Sequence, residues 1–359
     1  MSKISEIKHL TITASTHKYH VRVGEGLFSD YFTDFNGYII ADKRFETLFK
    51  HLGVSKVVYV EAVEDNKTLA TVESVMISLK NMGMTRDDPL VAVGGGIIQD
   101  IATLSASLYM RGVAWIYFPT TLLGMTDSCI GGKSSINAGD VKNLVGNIYP
   151  PRDIIIDIDF IKTLNQADLH AGLSEAAKIA FCKGSDAFET FLSFDTNSSP
   201  NVYTEMLFFI LSQKKWFIEI DEFDRAERKF LNFGHTFGHA LESATNHLVP
   251  HGIAVAIGIR AAIAFVSEER VLSDLEQQLD SYMANLSHAF SATNSLTEII
   301  DWVRYASAFS GDKKHSVDAF KLITPMKNGQ VEIRPFPKNN LTIERVIKAQ
   351  RAVLGESTK

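Results

Sequence analysis

Short apolar runs alternate with helical stretches over the first half of the chain, and this alternation constrains the fold more than any other feature. The runs GYIIAD, KVVYVEA, PLVAVGGG, VAWIYFP and DIIIDID have the length and composition of buried strands. Helical patterns separate them near 44–52, 69–82 and 97–109. This succession predicts a mostly parallel sheet covered by helices, and HLTITAS with KYHVRVGEG predicts a hairpin before it.

The pattern changes near residue 165 to long helices with few strand signals. The exception is FKLITPMKNGQVEIRP, which predicts a hairpin turning at Asn328-Gly329. A chain of 359 residues is long for a single core. We therefore expect an α/β, Rossmann-like N-terminal domain over 1–165 and a mainly α-helical C-terminal domain over 166–359.

Composition excludes several classes of protein. A net charge of −6 argues against a nucleic-acid surface, although a local basic pocket for an anionic substrate is compatible with it. No stretch approaches the length of a membrane span, and MSKISEIKHLTITAS lacks the apolar core of a leader peptide. The chain has two cysteines, which fit a reducing compartment better than a disulfide framework. We therefore expect the protein to be cytoplasmic.

A glycine turn follows one predicted strand and opens a predicted helix. This turn contains Gly94, Gly95 and Gly96 in PLVAVGGGIIQD. Because glycine has no Cβ atom, the backbone N–H groups can approach a pyrophosphate at the helix N-terminus. The alternative is a tight strand-to-helix turn with no ligand, because GGG alone is weak evidence.

Polar groups at the same predicted sheet edge favour the nucleotide. Asp42 closes the first strand, Glu64 and Lys67 follow the second, and Thr120 and Thr121 follow the fourth. Ligands of open parallel sheets bind at the carboxyl ends of the strands. An acidic residue there binds ribose hydroxyls and disfavours a 2′-phosphate, so the pattern predicts NAD rather than NADP.

Histidines crowd the segment RKFLNFGHTFGHALESATNHLVPHGIAVAIG. His235 and His239 are four residues apart, a spacing that places two zinc ligands on one helix face. The glutamate of an H-E-x-x-H protease is missing. His251 could turn back toward His235, whereas His247 is expected at the surface or at a helix cap.

A metal of this kind needs a carboxylate, and Glu175 in AGLSEAAK is the best candidate. It lies in an apolar helical run with Lys178 one turn further on. The alternative is an exposed Glu–Lys pair, the commonest use of that spacing. Two histidines and one carboxylate leave open coordination positions, as a catalytic site requires.

Cations and amides gather around the middle of the chain and could converge on phosphate and carboxylate groups. They are Arg111, Lys133, Lys142, Asn143 and Lys214, with Arg228 and Asn232 expected on the face of the His235 helix. The stretch near Gly-Gly-Lys-Ser is not a nucleotide-triphosphate loop, because Asp127 stands where the first glycine belongs.

Taken in order, GGGIIQD, YMRG, PTTLL, DSCIGGKSS, KNLVG, AGLSEAAK, RKFLNFGHTFGHALE, PHGIAVA and GDKKH resemble the 3-dehydroquinate synthases among the sugar-phosphate cyclases. This resemblance implies that Glu175, His235 and His251 hold zinc (or cobalt), and that His239 faces the substrate phosphate. It also implies a homodimer, in which Arg111 reaches the site of the other subunit.

The resemblance implies roles for two further sets of residues. The substrate set is Asp127, Lys133, Asn143, Lys178, Lys214, Arg228, Asn232 and Lys314, of which Lys133, Lys178 and Lys214 join Glu175 and His239 in catalysis. The NAD set is Asp42, Glu64, Lys67, Gly95, Gly96, Asp100, Thr120, Thr121, Lys142 and Thr163.

The implied reaction starts from a phosphorylated sugar acid, 3-deoxy-D-arabino-heptulosonate 7-phosphate, and ends at 3-dehydroquinate. Its steps are oxidation by NAD, phosphate elimination, reduction, ring opening and aldol closure. Arg228, Asn232 and His239 match the family members that take a carboxylate-bearing substrate. Three departures mark a divergent branch: Gln99 in the glycine turn, Ile253 after His-Gly, and SSINAGDVKN.

The alternatives are a related cyclase acting on sedoheptulose 7-phosphate, a net NAD-dependent polyol dehydrogenase, and a catalytically inactive ligand-binding relative. Phosphate release without net NADH separates cyclisation from the second and third alternatives.

Overall fold

The computed structural model describes residues 6–139, 141–196, 198–293 and 295–355. Two compact units make up the chain. Unit 1 contains Met1–Leu164 and Asp195–Phe223, and unit 2 contains Asn165–Phe194 and Asp224–Lys359. The segment Asp195–Phe223, which the sequence pattern assigns to the helical domain, therefore packs in unit 1.

The strands are β1 (Lys8–Thr13), β2 (Lys18–Gly24), β3 (Tyr38–Asp42), β4 (Val57–Val60), β5 (Leu90–Gly94), β6 (Trp115–Pro119), β7 (Ile136–Ala138), β8 (Val141–Val145), β9 (Asp153–Asp157), β10 (Ala319–Pro325) and β11 (Val331–Pro337). The helices of unit 1 are α1 (Leu27–Phe32), α2 (Glu46–His51), α3 (Leu69–Asn81), α4 (Gly96–Leu108) and α7 (Pro200–Ile220). Those of unit 2 are α5 (Gln166–Lys183), α6 (Ser185–Leu192), α8 (His235–Ala244), α9 (His251–Ser267), α10 (Asp274–Thr293), α11 (Leu296–Ile299), α12 (Trp302–Ser310) and α13 (Asn340–Leu354).

A mostly parallel sheet forms the centre of unit 1, in the order β1-β2-β9-β6-β5-β3-β4. Only the β1–β2 pair in it is antiparallel, which confirms the predicted N-terminal hairpin. Strands β3, β5 and β6 are buried along their whole length. Because both faces of these strands are buried, their sequences are continuously apolar and do not alternate with polar residues.

The register brings the carboxyl ends of three strands to one edge. Ala41 of β3 pairs with Val93 of β5, and Gly94 of β5 pairs with Pro119 of β6. Asp42, Gly95 and Thr120 therefore leave the sheet at the same edge, as the strand order in the sequence predicts.

The segment 126–151, which shows no strand or helix pattern in the sequence, contains local structure. A π-helical turn covers Gly124–Ser128, and β7 pairs with β8 in a small antiparallel ribbon. The glycines and asparagines of this segment interrupt the alternation of apolar and polar residues, so periodicity in the sequence does not reveal the two short strands.

Unit 2 is mainly helical, with one antiparallel hairpin of β10 and β11. Gly329 has φ +73° in the turn of that hairpin, which confirms the prediction at Asn328-Gly329. Helix α9 is buried along most of its length and is the central helix, in contact with α5, α8, α10 and α13. No helix in the described ranges combines the length and apolar character that crossing a bilayer needs.

Candidate metal centre and nucleotide-binding edge

Three histidines from two helices of unit 2 form a cluster. His235 and His239 lie one turn apart on α8, and His251 is the first residue of α9. One ring nitrogen from each lies within 4.8 Å of the others. The rings of His235 and His251 are 5.3 Å apart between centroids, so His251 does turn back toward α8.

Glu175 of α5 completes the cluster. Its Oε1 lies 3.7 Å from Nε2 of His235 and 3.5 Å from Nε2 of His251. Ligand atoms on a tetrahedral zinc ion with bonds near 2.0–2.1 Å are about 3.4 Å apart. The two imidazoles and the carboxylate therefore fit a single metal ion of that size.

The side chain of Glu175 is fully buried, and Lys178 beside it is 1% exposed. The two form an ion pair one helical turn apart. An exposed Glu–Lys pair, the alternative for this spacing, is thus excluded by burial. Burying a charged pair costs desolvation free energy, which further interactions of the two groups, such as those with a bound metal ion and an anion, would offset.

The candidate ligand histidines His235 and His251 are both oriented through their other ring nitrogen. Nδ1 of His235 lies 3.2 Å from the carbonyl oxygen of Phe233, and Nδ1 of His251 lies 3.3 Å from Oε1 of Glu242. A hydrogen bond at Nδ1 leaves the Nε2 lone pair for a metal. Glu242 is absent from the sequence prediction. The sequence signal that could have identified Glu242 is its position on the predicted helix, three residues after His239.

Charge around the cluster separates the protonation states of the histidines. Burial and the positive charge of Lys178 hold the pKa of His235 well below its usual value, and burial with His235 and Lys314 does the same for His239. Burial also lowers the pKa of His251, but Glu242 and Glu175 outweigh this effect and raise the pKa of His251 to about 10. A metal binding at Nε2 of His251 must therefore displace a proton.

Glycines allow the ligand-bearing helices to approach closely. A methyl group at Gly258 of α9 would overlap the carbonyl oxygen of Gly234 and lie 2.7 Å from the nitrogen of Gly238. A methyl group at Gly252 would overlap the carbonyl oxygen of Ala171 on α5. The distances between Glu175, His235 and His251 depend on this packing.

Further predicted substrate groups lie in unit 2, with one correction. Arg228 and Asn232 are not on the His235 helix: they belong to a 3-10 turn, Glu227–Asn232, and Gly234 at φ +77° separates it from α8. A left-handed residue ends any continuous helical face there. Arg228 is buried, and Nζ of Lys314 lies 2.8 Å from the Asp312 carboxylate.

The glycine turn of unit 1 leads directly into α4. A methyl group at Gly95 would lie 2.9 Å from Cγ2 of Thr121, so this position accepts only glycine without rearrangement. No side chain caps the N-terminus of α4. The hydroxyl of Thr120 is buried and has no hydrogen-bond partner among the described residues. Free helix N–H groups and a buried hydroxyl fit a dinucleotide diphosphate.

Charged residues of the predicted NAD set form ion pairs. Lys67 Nζ lies 2.9 Å from Asp100, which also accepts a hydrogen bond from the nitrogen of Ser135. Burial raises the pKa of Asp100 to about 6, although Lys67 opposes the shift. Lys142 lies 3.5 Å from Glu64, and Asp42 is buried and paired with Arg44.

The other predicted substrate and NAD residues of unit 1 differ in their exposure and in their hydrogen-bond or ion-pair contacts. Lys214 Nζ is 2.9 Å from the Asp127 carboxylate, whereas Lys133 is exposed. The hydroxyl of Thr163 donates to the carbonyl of Phe160. Asn143 and Arg111 have positive φ values of 54° and 66°.

The fold and these groups are those expected of a class of enzymes with an α/β nucleotide-binding unit and a helical unit that carries a metal centre. Two family models match the chain: the 3-dehydroquinate synthase N-terminal model over residues 57–171 and the C-terminal model over residues 172–315. A 3-dehydroquinate synthase of Dictyoglomus thermophilum is 33% identical and aligns over 96% of this chain and 98% of its own. The chain belongs to the 3-dehydroquinate synthase family and is an enzyme of that family.

Two solved structures share the fold. A 2-deoxy-scyllo-inosose synthase, complexed with carbaglucose-6-phosphate, NAD+ and Co2+, is 23% identical with a TM-score of 0.81, over 95% of this chain and 100% of its own. A 2-epi-5-epi-valiolone synthase from Streptomyces hygroscopicus, with NAD+ and Zn2+, is 23% identical with a TM-score of 0.78, over 99% and 100%.

Proposed function

We propose that this enzyme converts 3-deoxy-D-arabino-heptulosonate 7-phosphate into 3-dehydroquinate with release of phosphate. The observation that carries the proposal is the cluster of Glu175, His235 and His251, in which Nε2 of each histidine lies 3.5–3.7 Å from the same carboxylate oxygen. Family membership supplies the reaction type, and Arg228, Asn232 and His239 match members that take a carboxylate-bearing substrate.

Glu175, His235 and His251 would hold zinc, and the edge with Gly95, Gly96 and Thr120 would hold NAD. When bound, the metal polarises substrate oxygens and the nicotinamide accepts and returns a hydride. His235 is kept neutral by burial and by Lys178, so it is available as a ligand without first losing a proton.

The cations of unit 2 bind and orient the substrate in this proposal. Lys178, Lys314 and Arg228 supply positive charge for phosphate and carboxylate oxygens, and the planar guanidinium of Arg228 suits a carboxylate. His239 is neutral because burial and neighbouring charges lower its pKa, so its ring can donate one hydrogen bond to a phosphate oxygen. Holding the leaving phosphate in one orientation lets it accept the proton released during its own elimination.

The primary test offers the heptulosonate phosphate and sedoheptulose 7-phosphate separately, with NAD+ and Zn2+. We expect phosphate release from the first, no net NADH, and a ring identified by NMR as 3-dehydroquinate. Faster turnover of sedoheptulose 7-phosphate would replace this proposal with the related cyclase activity. NADH accumulating in proportion to substrate would identify a dehydrogenase.

The metal assignment has its own test. We expect His235→Ala to lose both bound zinc and activity, because it removes one of the three proposed ligands from the site. Metal analysis of the purified variant gives the answer, and full zinc occupancy would contradict the assignment. His247→Ala, at an exposed position, is the matched control.

We also propose a homodimer in which Arg111 acts at the site of the neighbouring subunit. Arg111 lies in an exposed turn where Met110 and Arg111 both have positive φ. Inactive Arg111→Ala and His235→Ala subunits, mixed equally and allowed to exchange, should recover about a quarter of wild-type activity, since half the dimers would be mixed with one intact site each. No recovery, with exchange confirmed by mass, would contradict shared sites.

A further inference from the structure

Gln99 is a buried amide whose two polar atoms bind one residue. It lies in the first turn of α4, next to the glycine turn, and is 3% exposed. Its Nε2 donates to the carbonyl oxygen of Ser128 at 2.6 Å, and its Oε1 accepts from the hydroxyl of Ser128 at 2.6 Å. An apolar side chain of the same size would fill this space without the cost of burying an amide.

Ser128 ends a turn that carries a predicted substrate group. The π-helical turn Gly124–Ser128 includes Asp127, whose carboxylate lies 2.9 Å from Nζ of Lys214 on α7. Lys214 also donates to the backbone carbonyl oxygens of Asp127 and Ile130. The turn is therefore held by α7 on one side and by Gln99 of α4 on the other. Such π-helical turns are rare and are frequently found at functional sites.

We propose that Gln99 is a positioning residue that fixes the Gly124–Ser128 turn, and with it Asp127 and Lys214, for substrate binding. Two hydrogen bonds from one planar amide restrict both the distance and the rotation of Ser128. A single bond restricts less. Helix α4 starts at the glycine turn and holds its own first turn through the bond from Gln99 N to Gly95 O, at 3.0 Å. Losing the amide should therefore loosen the turn and leave the nucleotide edge intact.

Three variants separate this role from simple stability. Gln99→Met keeps the length of the side chain and removes both hydrogen bonds. Ser128→Ala removes only the bond made by the hydroxyl, since the backbone carbonyl still accepts from Gln99. Ser105→Ala is the matched control: Ser105 is buried on the same helix, and its hydroxyl has no hydrogen-bond partner among the described residues.

The kinetic part of the test rests on the proposed function. We expect Gln99→Met to raise KM for the heptulosonate phosphate about tenfold, as the loss of buried hydrogen bonds would. The dissociation constant for NAD+ alone should stay within about twofold, because the bonds that hold the start of α4 are unchanged. Ser128→Ala should have a smaller effect, and the double variant should match Gln99→Met. Equal weakening of NAD+ binding, or additive effects in the double variant, would overturn the proposal.

Hydrogen exchange tests the same idea without substrate. Amides of the peptide covering 120–131 should exchange faster in Gln99→Met and Ser128→Ala than in the wild type, and at the wild-type rate in Ser105→Ala. Unchanged exchange in Gln99→Met would overturn the positioning role whatever the substrate is. If the wild-type enzyme does not turn over the heptulosonate phosphate, only the proposed function is overturned. Faster hydrogen exchange in Gln99→Met would still support the role of Gln99 in fixing the turn.

Discussion

At the scale of single residues, Glu242 orients the proposed metal ligand His251 through a contact of 3.3 Å. We expect Glu242→Gln to weaken zinc binding by about 10- to 100-fold, because the neutral amide no longer favours the proton on Nδ1 of the histidine. Competition with a chromophoric chelator measures the change. Glu298→Gln, at an exposed position of the same unit, is the control. Equal zinc affinity in the two variants would remove the orienting role.

Lys178 compensates the charge of Glu175 in a pair that is almost completely buried. In the presence of a chelator, we expect Lys178→Met to lower the free energy of unfolding by about 3–5 kcal/mol, since it leaves a carboxylate buried without its cation. Zinc should restore most of the difference because it supplies the missing positive charge. Urea unfolding with and without zinc checks this.

The control for that experiment is Lys348→Met, which removes a lysine that is 58% exposed and paired with Glu268. An exposed pair contributes about 0–1 kcal/mol, so this variant should be nearly neutral in both conditions. A loss in Lys178→Met that zinc does not reduce would argue against a metal next to Glu175.

At the scale of elements, the close contact between α8 and α9 sets the distance between His235 and His251, the proposed metal ligands. We expect Gly258→Ala to destabilise the protein by roughly 1–3 kcal/mol and to weaken zinc binding, because the added methyl group forces the two helices apart. Thermal unfolding and zinc titration measure the two effects. In Gly311→Ala the methyl group would meet nothing closer than 3.3 Å, so that variant serves as the control. Destabilisation with unchanged zinc affinity would show that the ligands do not depend on this contact.

Asp100 links α4 to Lys67 and to the residue before β7, and its pKa is raised to about 6, chiefly by burial. A carboxyl group with a raised pKa in the folded state stabilises the fold below its unfolded pKa, near 3.9, and loses that contribution as the pH rises through 6. Relative to Asp100→Asn, the wild type should thus lose up to roughly 3 kcal/mol between pH 4 and 7. Urea unfolding across this range tests it, and the opposite slope would mean that the ion pair outweighs burial.

At the scale of the whole molecule, the predicted binding sites for NAD+ and zinc belong to different units. We expect NAD+ to slow hydrogen exchange mainly in Met1–Leu164 and zinc to slow it mainly in Asn165–Phe194 and Asp224–Lys359, since each ligand stabilises the unit that binds it. At a hundredfold excess over its dissociation constant, a ligand contributes about 2.7 kcal/mol. Protection by NAD+ confined to the helical unit would contradict the assignment of the glycine turn.

The amino-acid sequence by itself determined the parallel sheet, the glycine turn, the helical second half and membership of the family. These follow from local patterns: burial on both faces makes strands β3, β5 and β6 continuously apolar, and chain order places their polar ends at one edge. The spacing of His235 and His239 likewise fixed a shared helix face.

Only the tertiary structure decided which groups meet across elements. It placed α7 in unit 1, separated Arg228 and Asn232 from α8 at Gly234, and brought Glu242 to His251. It also joined Gln99 to Ser128. Helical spacing relates residues within a few turns of one another, whereas these contacts depend on how separate segments pack, and on glycines whose missing Cβ atoms allow the helices to approach.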